Sequence, residues 1–245
     1  MKYLHVIALL TLVTVSYVNG GEQGKHLFIL SGQSNMAMLN PAISFTPAVE
    51  AAFGKDNVIV VKDAQNGQQI SRWYKKWKSP EGVGPADNGD LYDRLMGKVN
   101  EVIRGKQLAT VTFIWMQGET DAMKKGYANV YADSLKGLLE QVRADLGRKD
   151  INFVIGRISD SDRGRQFPQW ETMRKIQVEF AEADPNGAWV DTDDMNDGKA
   201  ASGKEVKNDV HYTVEGYKLL GQRFAASAIK LINKNQNKTD AKDGK

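Results

Sequence analysis

Leu27-Phe-Ile-Leu-Ser-Gly-Gln-Ser-Asn-Met36 reads as an apolar strand that runs straight into a tight, glycine-containing turn presenting Ser34. The apolar residues are continuous rather than alternating, as in a strand covered on both faces of a parallel sheet. Similar runs occupy residues 58–61, 109–115, 153–158 and 188–190. Between them lie helical patterns at 91–104, 127–146, 170–183 and 214–232. In the last, Val214, Tyr217, Leu220, Phe224, Ala228 and Leu231 recur at spacings of three and four, which makes one helical face. This alternation predicts an α/β fold with helices on both sides of a five-stranded, mainly parallel sheet. No internal repeat is visible. The least regular stretches, 40–55, 66–89, 159–168 and 192–208, include several that follow strand C-termini, where open α/β sheets place their ligand crevice.

The first 20 of the 245 residues read as a secretory leader. Lys2 gives a cationic start, residues 6–18 are mostly apolar, and Val18-Asn-Gly20 ends in small residues. The apolar run falls short of the roughly 20 residues a membrane span needs, so no stable membrane insertion is expected after cleavage. A secreted or periplasmic location follows. Removing the leader takes away Lys2 and leaves 32 Lys+Arg against 30 Asp+Glu, a net charge of +2. That balance gives no electrostatic case for nucleic acid. With no cysteine in the chain, a disulfide frame, a thiolate metal site and a cysteine nucleophile are all excluded. Stability must come from a core, which a single domain over residues 25–233 is long enough to build. The polar tail 234–245 is expected to be disordered.

A serine hydroxyl is a weak nucleophile until a base takes its proton, and the base is usually histidine. Past the leader only His26 and His211 remain. His26 opens the first strand and lies at the wrong end of the sheet from Ser34, at about 3.3 Å per strand residue. His211 follows the last strand and precedes a helix, so it is the candidate base. Asp209, two residues earlier, shares its side in an extended segment and is the expected orienting acid; Asn208 is the alternative. Oxyanion donors are expected from the backbone N–H of Ser34, the backbone N–H of Gly67 and the side-chain amide of Gln117.

These residues resemble the SGNH-hydrolase superfamily, specifically its sialate O-acetylesterase-like branch, carbohydrate esterase family 6. The likeness is carried by Phe28-Ile-Leu-Ser-Gly-Gln-Ser-Asn-Met36, Trp115-Met-Gln-Gly-Glu-Thr-Asp-Ala122 and Asp209-Val-His-Tyr-Thr-Val-Glu-Gly216. It implies a three-layer α/β/α, flavodoxin-like fold without a metal or cofactor. It further implies removal of acetyl groups from a carbohydrate by Ser34 and His211, with Ser34, Gly67 and Gln117 as oxyanion donors. Trp73, together with Tyr74 and Trp77, is a candidate sugar-facing wall, and Gln33, Asn35 and Glu119 are further candidates for substrate contact. Arg174 and Gln177, three apart on a helix, are expected to hold a loop. One departure stands out. Many SGNH enzymes carry the acid three residues before the histidine, and here that position is Asn208.

Two rival readings are an acyl hydrolase of lipase or thioesterase type, which requires an apolar acyl groove, and a non-catalytic carbohydrate-binding protein with the same fold. Asp191-Thr-Asp-Asp-Met-Asn-Asp-Gly198 is acidic but fails the EF-hand pattern, because Met195 falls on a ligand position. Asn237-Lys-Thr239 is a glycosylation sequon with meaning only in a eukaryotic secretory host.

Overall fold

A computed structural model describes residues 24–243, with side chains to residue 236. The leader expected over 1–20 and the side chain of Asn237 lie outside the described residues. The chain runs β1 (Lys25–Gly32), α1 (Ser34–Met38), α2 (Phe45–Phe53), β2 (Val58–Ala64), α3 (Asp90–Ile103), β3 (Leu108–Met116) and α4 (Glu119–Ala122). It continues with α5 (Ala128–Asp145), β4 (Asn152–Gly156), α6 (Trp170–Ala183), β5 (Gly187–Val190), a short hairpin β6 (Gly198–Lys199) and β7 (Glu205–Val206), and α7 (Val214–Asp243). Five parallel strands pair in the order β2-β1-β3-β4-β5. The chain therefore leaves β1 on one side and returns on the other, which puts the topological switch at the C-terminal ends of β1 and β3.

Strand periodicity explains the layers. Leu27, Ile29, Val111, Phe113, Trp115, Phe153 and Ile155 face one way and pack with residues of α3, α5 and α6. Phe28, Leu30, Ile114, Met116 and Val154 face the other way, against α2 and α7. Both faces of each central strand are covered, which is why the sequence shows runs and not alternation. Helix α2 lies inside the stretch read as irregular, where Pro47 in its first turn hid it; proline is tolerated there. Helix α7 runs on past residue 232, where the sequence pattern ended. The tail expected to be disordered from 234 begins instead as helix, with Lys234 bonded to the Pro185 carbonyl and Asn235 to Asn152 and Asn186. Among the described residues no helix is long and apolar enough to cross a membrane.

The loop after β2 departs most from expectation. Trp73 is 0% exposed and stands edge-on to Trp115, with ring centroids 5.2 Å apart. Trp77 is buried against Tyr127, and Tyr74 lies where a side chain at Gly137 would be. These aromatics seal the α5 side of the sheet and form no sugar-facing wall. The correction has a plain cause: a long loop over an apolar sheet must cover it, and large rings do so best.

The turn that ends β1 admits little change. Gly32 has φ +144°, and a Cβ built there would sit 1.9 Å from the Met116 carbonyl oxygen of β3. Gly32→Ala is therefore expected to destabilise the fold by about 3 kcal/mol through combined strain and overpacking. Chemical denaturation of the two proteins side by side measures this, and an unchanged midpoint would contradict it.

Candidate active site

Strand β1 delivers Ser34 to the switch point, where it opens the five-residue helix α1. So short a helix needs anchoring. The Lys62 ammonium supplies it by donating to the carbonyls of Met36, Ala37 and Leu39 at 3.3, 2.8 and 2.6 Å. A cation at the C-terminal end of a helix satisfies its last carbonyls and its dipole together. At the other end, the backbone N–H of Ser34 is a first-turn donor with no intrahelical acceptor.

Ser34 Oγ lies 3.0 Å from Nε2 of His211, although 177 residues separate them. That is a hydrogen bond in length, joining the hydroxyl and imidazole the sequence singled out. His26 sits at the far end of β1, bonded through Nδ1 to Thr110. The His211 loop is fixed by its backbone. Asn35 Nδ2 donates to the Val210 carbonyl at 3.0 Å, Asn196 Nδ2 to the Asp209 carbonyl at 3.0 Å, and Thr213 N–H to the Met195 carbonyl at 2.9 Å.

Neither expected acid reaches the imidazole. Asp209 Oδ1 accepts the backbone N–H of His211 itself at 3.0 Å. Asn208, at φ +46°, donates its amide to the Asp162 carboxylate. The expectation for Asp209 assumed an extended segment; the loop instead folds into an Asx turn, in which the carboxylate caps the backbone two residues on.

Gln117 is also placed differently from its expected role. Its Nε2 donates to Asp121 Oδ2 at 2.5 Å and to the Gln68 carbonyl at 3.0 Å, with Gln33 Oε1 at 3.3 Å. Two amide hydrogens already face three acceptors, and the side chain is 0% exposed. Gln117 braces the β2 loop against β3 and has no donor left for an oxyanion. Gly67 does fit. It occupies an exposed turn at φ +65°, and its N–H enters no hydrogen bond among the described residues.

The other substrate-contact candidates all point inward. Gln33 Oε1 accepts Thr120 N–H, and Asn35 Nδ2 donates to Glu119 Oε1 at 2.9 Å while its Oδ1 accepts the Tyr217 hydroxyl at 2.9 Å. Gln33, Asn35 and Glu119 are each buried, as is Trp73. Arg174 and Gln177 hold the β4 loop as expected: Arg174 Nη1 donates to the Ile158 carbonyl, and Gln177 bridges Ile158 N–H and the Gln117 carbonyl. The acidic 191–198 loop is tied to Arg157, Arg174 and Arg223. No cluster of three His, Asp or Glu able to hold a metal occurs among the described residues.

Sequence reading missed the open side of the site. A cavity of about 340 Å³ next to His211 is lined by Met38, Asp209, Tyr217 and, from the β6–β7 hairpin, Ala201, Ser202 and Val206. The one available signal was Ser202-Gly203, a turn pair flanked by short runs in a stretch that follows a strand end.

Two buried carboxyls lie beneath the serine turn. Burial pushes Glu119 up to about 7 and Asp121 up to about 6, and each has an oxygen without a partner. Both folded values exceed those of the unfolded chain. The stability tied to the neutral forms is therefore complete at low pH and is lost as pH rises through about 6 to 7. Glu119→Gln keeps an acceptor for Asn35 without the charge. It is expected to gain on the wild type by on the order of 1–3 kcal/mol between pH 5 and pH 8. Thermal melts of both proteins across that range test this; parallel pH profiles would refute it.

Comparison with known proteins places this geometry. A sequence comparison with curated proteins gives no significant match. Among solved structures, a protein from Arabidopsis thaliana is 18% identical, with 84% of this chain and 98% of that one covered and a TM-score of 0.64. A carbohydrate acetylesterase from Xanthomonas citri is 16% identical, covering 86% of this chain and 56% of that one, with a TM-score of 0.56. An acetylxylan esterase from Geobacillus stearothermophilus is 16% identical, covering 85% and 95%, with a TM-score of 0.52. At these identities the likeness speaks for the fold alone, a five-stranded parallel sheet between layers of helices. The sequence itself matches one family model over residues 37–230, a span that begins just past Ser34. By that match the chain belongs to the SASA family, described as carbohydrate esterase, sialic acid-specific acetylesterase, and is a carboxylic ester hydrolase.

Proposed function

We propose that the protein removes O-acetyl groups from a carbohydrate through an acetyl-enzyme on Ser34, with His211 as general base and then general acid. The observation that carries this is the 3.0 Å contact between Ser34 Oγ and His211 Nε2 at the switch point of the sheet. In the reactive tautomer Nε2 is unprotonated and accepts the serine proton as Oγ attacks the acetyl carbonyl. The resulting oxyanion faces the N–H groups of Ser34 and Gly67, each worth roughly 2.7–4 kcal/mol of barrier where donors are fixed in advance. The imidazolium then protonates the departing sugar oxygen, and the bond between the acetyl carbon and that oxygen breaks. Water, deprotonated by the same imidazole, attacks the acetyl-serine, and the imidazolium returns the proton to Ser34 Oγ as acetate leaves.

In this reading the imidazole works without a carboxylate bonded to Nδ1. Asp209 acts one step removed: it holds the His211 backbone, and the Asx turn sets where the ring points. An acetylated sugar is favoured as substrate by the family match. The leader pattern of Lys2, residues 6–18 and Val18-Asn-Gly20 supports a secreted or periplasmic location.

Ser34→Ala is expected to lower turnover on p-nitrophenyl acetate by about 10⁴-fold or more, the scale on which a nucleophile's removal is felt. Asp209→Asn keeps an oxygen for the His211 N–H and should stay within about tenfold of wild type, against the roughly 10⁴-fold loss when a triad carboxylate is neutralised. A loss of that larger size in Asp209→Asn would show that the carboxylate serves the ring after all. Equal rates for wild type and Ser34→Ala, both on p-nitrophenyl acetate and on a panel of acetylated glycans, would remove the esterase assignment to Ser34.

A further inference from the structure

The cavity beside His211 adjoins a neighbouring one, and Ser34 lines neither. A second cavity, of about 170 Å³, shares Met38, Ala201 and Tyr217 with it and extends to Ile43 and Val214. Four large hydrophobic residues are exposed among the described residues, and three of them are Met38, Ile43 and Val214. Their concentration along one groove is not scatter, because contiguous exposed apolar surface marks a binding site. The Tyr217 ring forms a stiff wall: its hydroxyl bonds Asn35 Oδ1 at 2.9 Å, and Tyr212 stacks edge-on to it at 5.5 Å.

Which half of an ester lies there follows from proton transfer. The acyl carbon must sit over Ser34 Oγ, and the protonated Nε2 of His211 must reach the departing oxygen. The alcohol half therefore extends past His211, on the side where the groove begins, and the acyl half lies towards the Ser34 and Gly67 N–H groups. We propose that the alcohol half of the substrate is amphipathic, an acetylated sugar bearing an alkyl or aryl group, and that this group seats against Tyr217, Met38 and Ala201. The inference rests on the esterase reading of Ser34 and His211 and deepens it. A plain polysaccharide acetate would leave the groove wet and its apolar rim exposed to no purpose.

The test uses two ester ladders on the full chain, with Ser34→Ala as background. One lengthens the alcohol (ethyl, butyl and hexyl acetate), and the other lengthens the acyl group (ethyl acetate, butanoate and hexanoate). The primary alcohols differ little in acidity, so the first ladder reads binding and not leaving ability. Specificity, kcat/KM, should rise along the alcohol ladder by about fourfold per methylene where contact is full. The rise should come mainly through KM, as expected for contacts made equally in ground and transition states. Ala201→Asp, an exposed substitution in the hairpin, should flatten the hexyl-to-ethyl ratio by at least tenfold. A flat alcohol ladder with Ser34-dependent turnover overturns this proposal alone. So does a rise confined to the acyl ladder, which would assign the groove to the acyl chain. No Ser34-dependent turnover of any ester overturns the esterase reading and this proposal with it.

Discussion

Everything at this site hangs on the close approach of β1 and β3 where both strands end. Gly32 lies against the Met116 carbonyl, and Gln33 N–H donates to that same oxygen at 2.9 Å. On the other side Gly32 accepts Gln65 N–H at 3.0 Å, so the last residue of the strand is paired on both flanks. A chain held this way can turn only sharply, and the turn places Ser34 at a helix start. The position of the nucleophile is thus a consequence of sheet hydrogen bonding and one absent Cβ.

Below that turn the protein buries an unusual amount of polar material. Gln33, Asn35, Gln117, Glu119, Asp121 and Gln177 are all 3% exposed or less. Placing such groups inside is tolerable because they bond one another and the backbone, and a satisfied network in a low-dielectric interior is rigid. Its two carboxyls are the exception, since each keeps an oxygen without a partner and burial raises both affinities for protons. Rigidity here has a use. Asn35 joins the floor of the site to the Val210 carbonyl and so to the residue before His211, linking nucleophile and base through one amide.

The parallel sheet and its helices were legible in the sequence because the central strands are buried on both faces and write that burial as continuous apolar runs. Ser34 and His211 could be paired by elimination: beyond residue 20 the chain has two histidines, and strand geometry removes His26. What stayed hidden were partners, which depend on loops folding over each other. Gln117 looks like a donor at a strand end until Gln68 and Asp121 are brought against it. Trp73 looks like a sugar platform until the loop turns it onto Trp115. Asp209 sits at a spacing that serves the ring in an extended chain and the backbone in a turn; residue type cannot tell these apart.

The same burial decides how a substrate can approach. The α5 side of the crevice is closed by Trp73 and Trp77, and its floor by Gln33, Asn35 and Glu119, all of them buried out of reach of a sugar hydroxyl. What still faces outward includes Gly67 in its exposed turn, and His211 with Met38, Tyr217 and the β6–β7 hairpin around their cavity. The Gly67 side is bare backbone, suited to an oxyanion and a small acyl group. The hairpin side offers shape and apolar surface but few hydrogen bonds. On the proposed reading, the alcohol half is held on the hairpin side by fit and desolvation more than by hydrogen bonds.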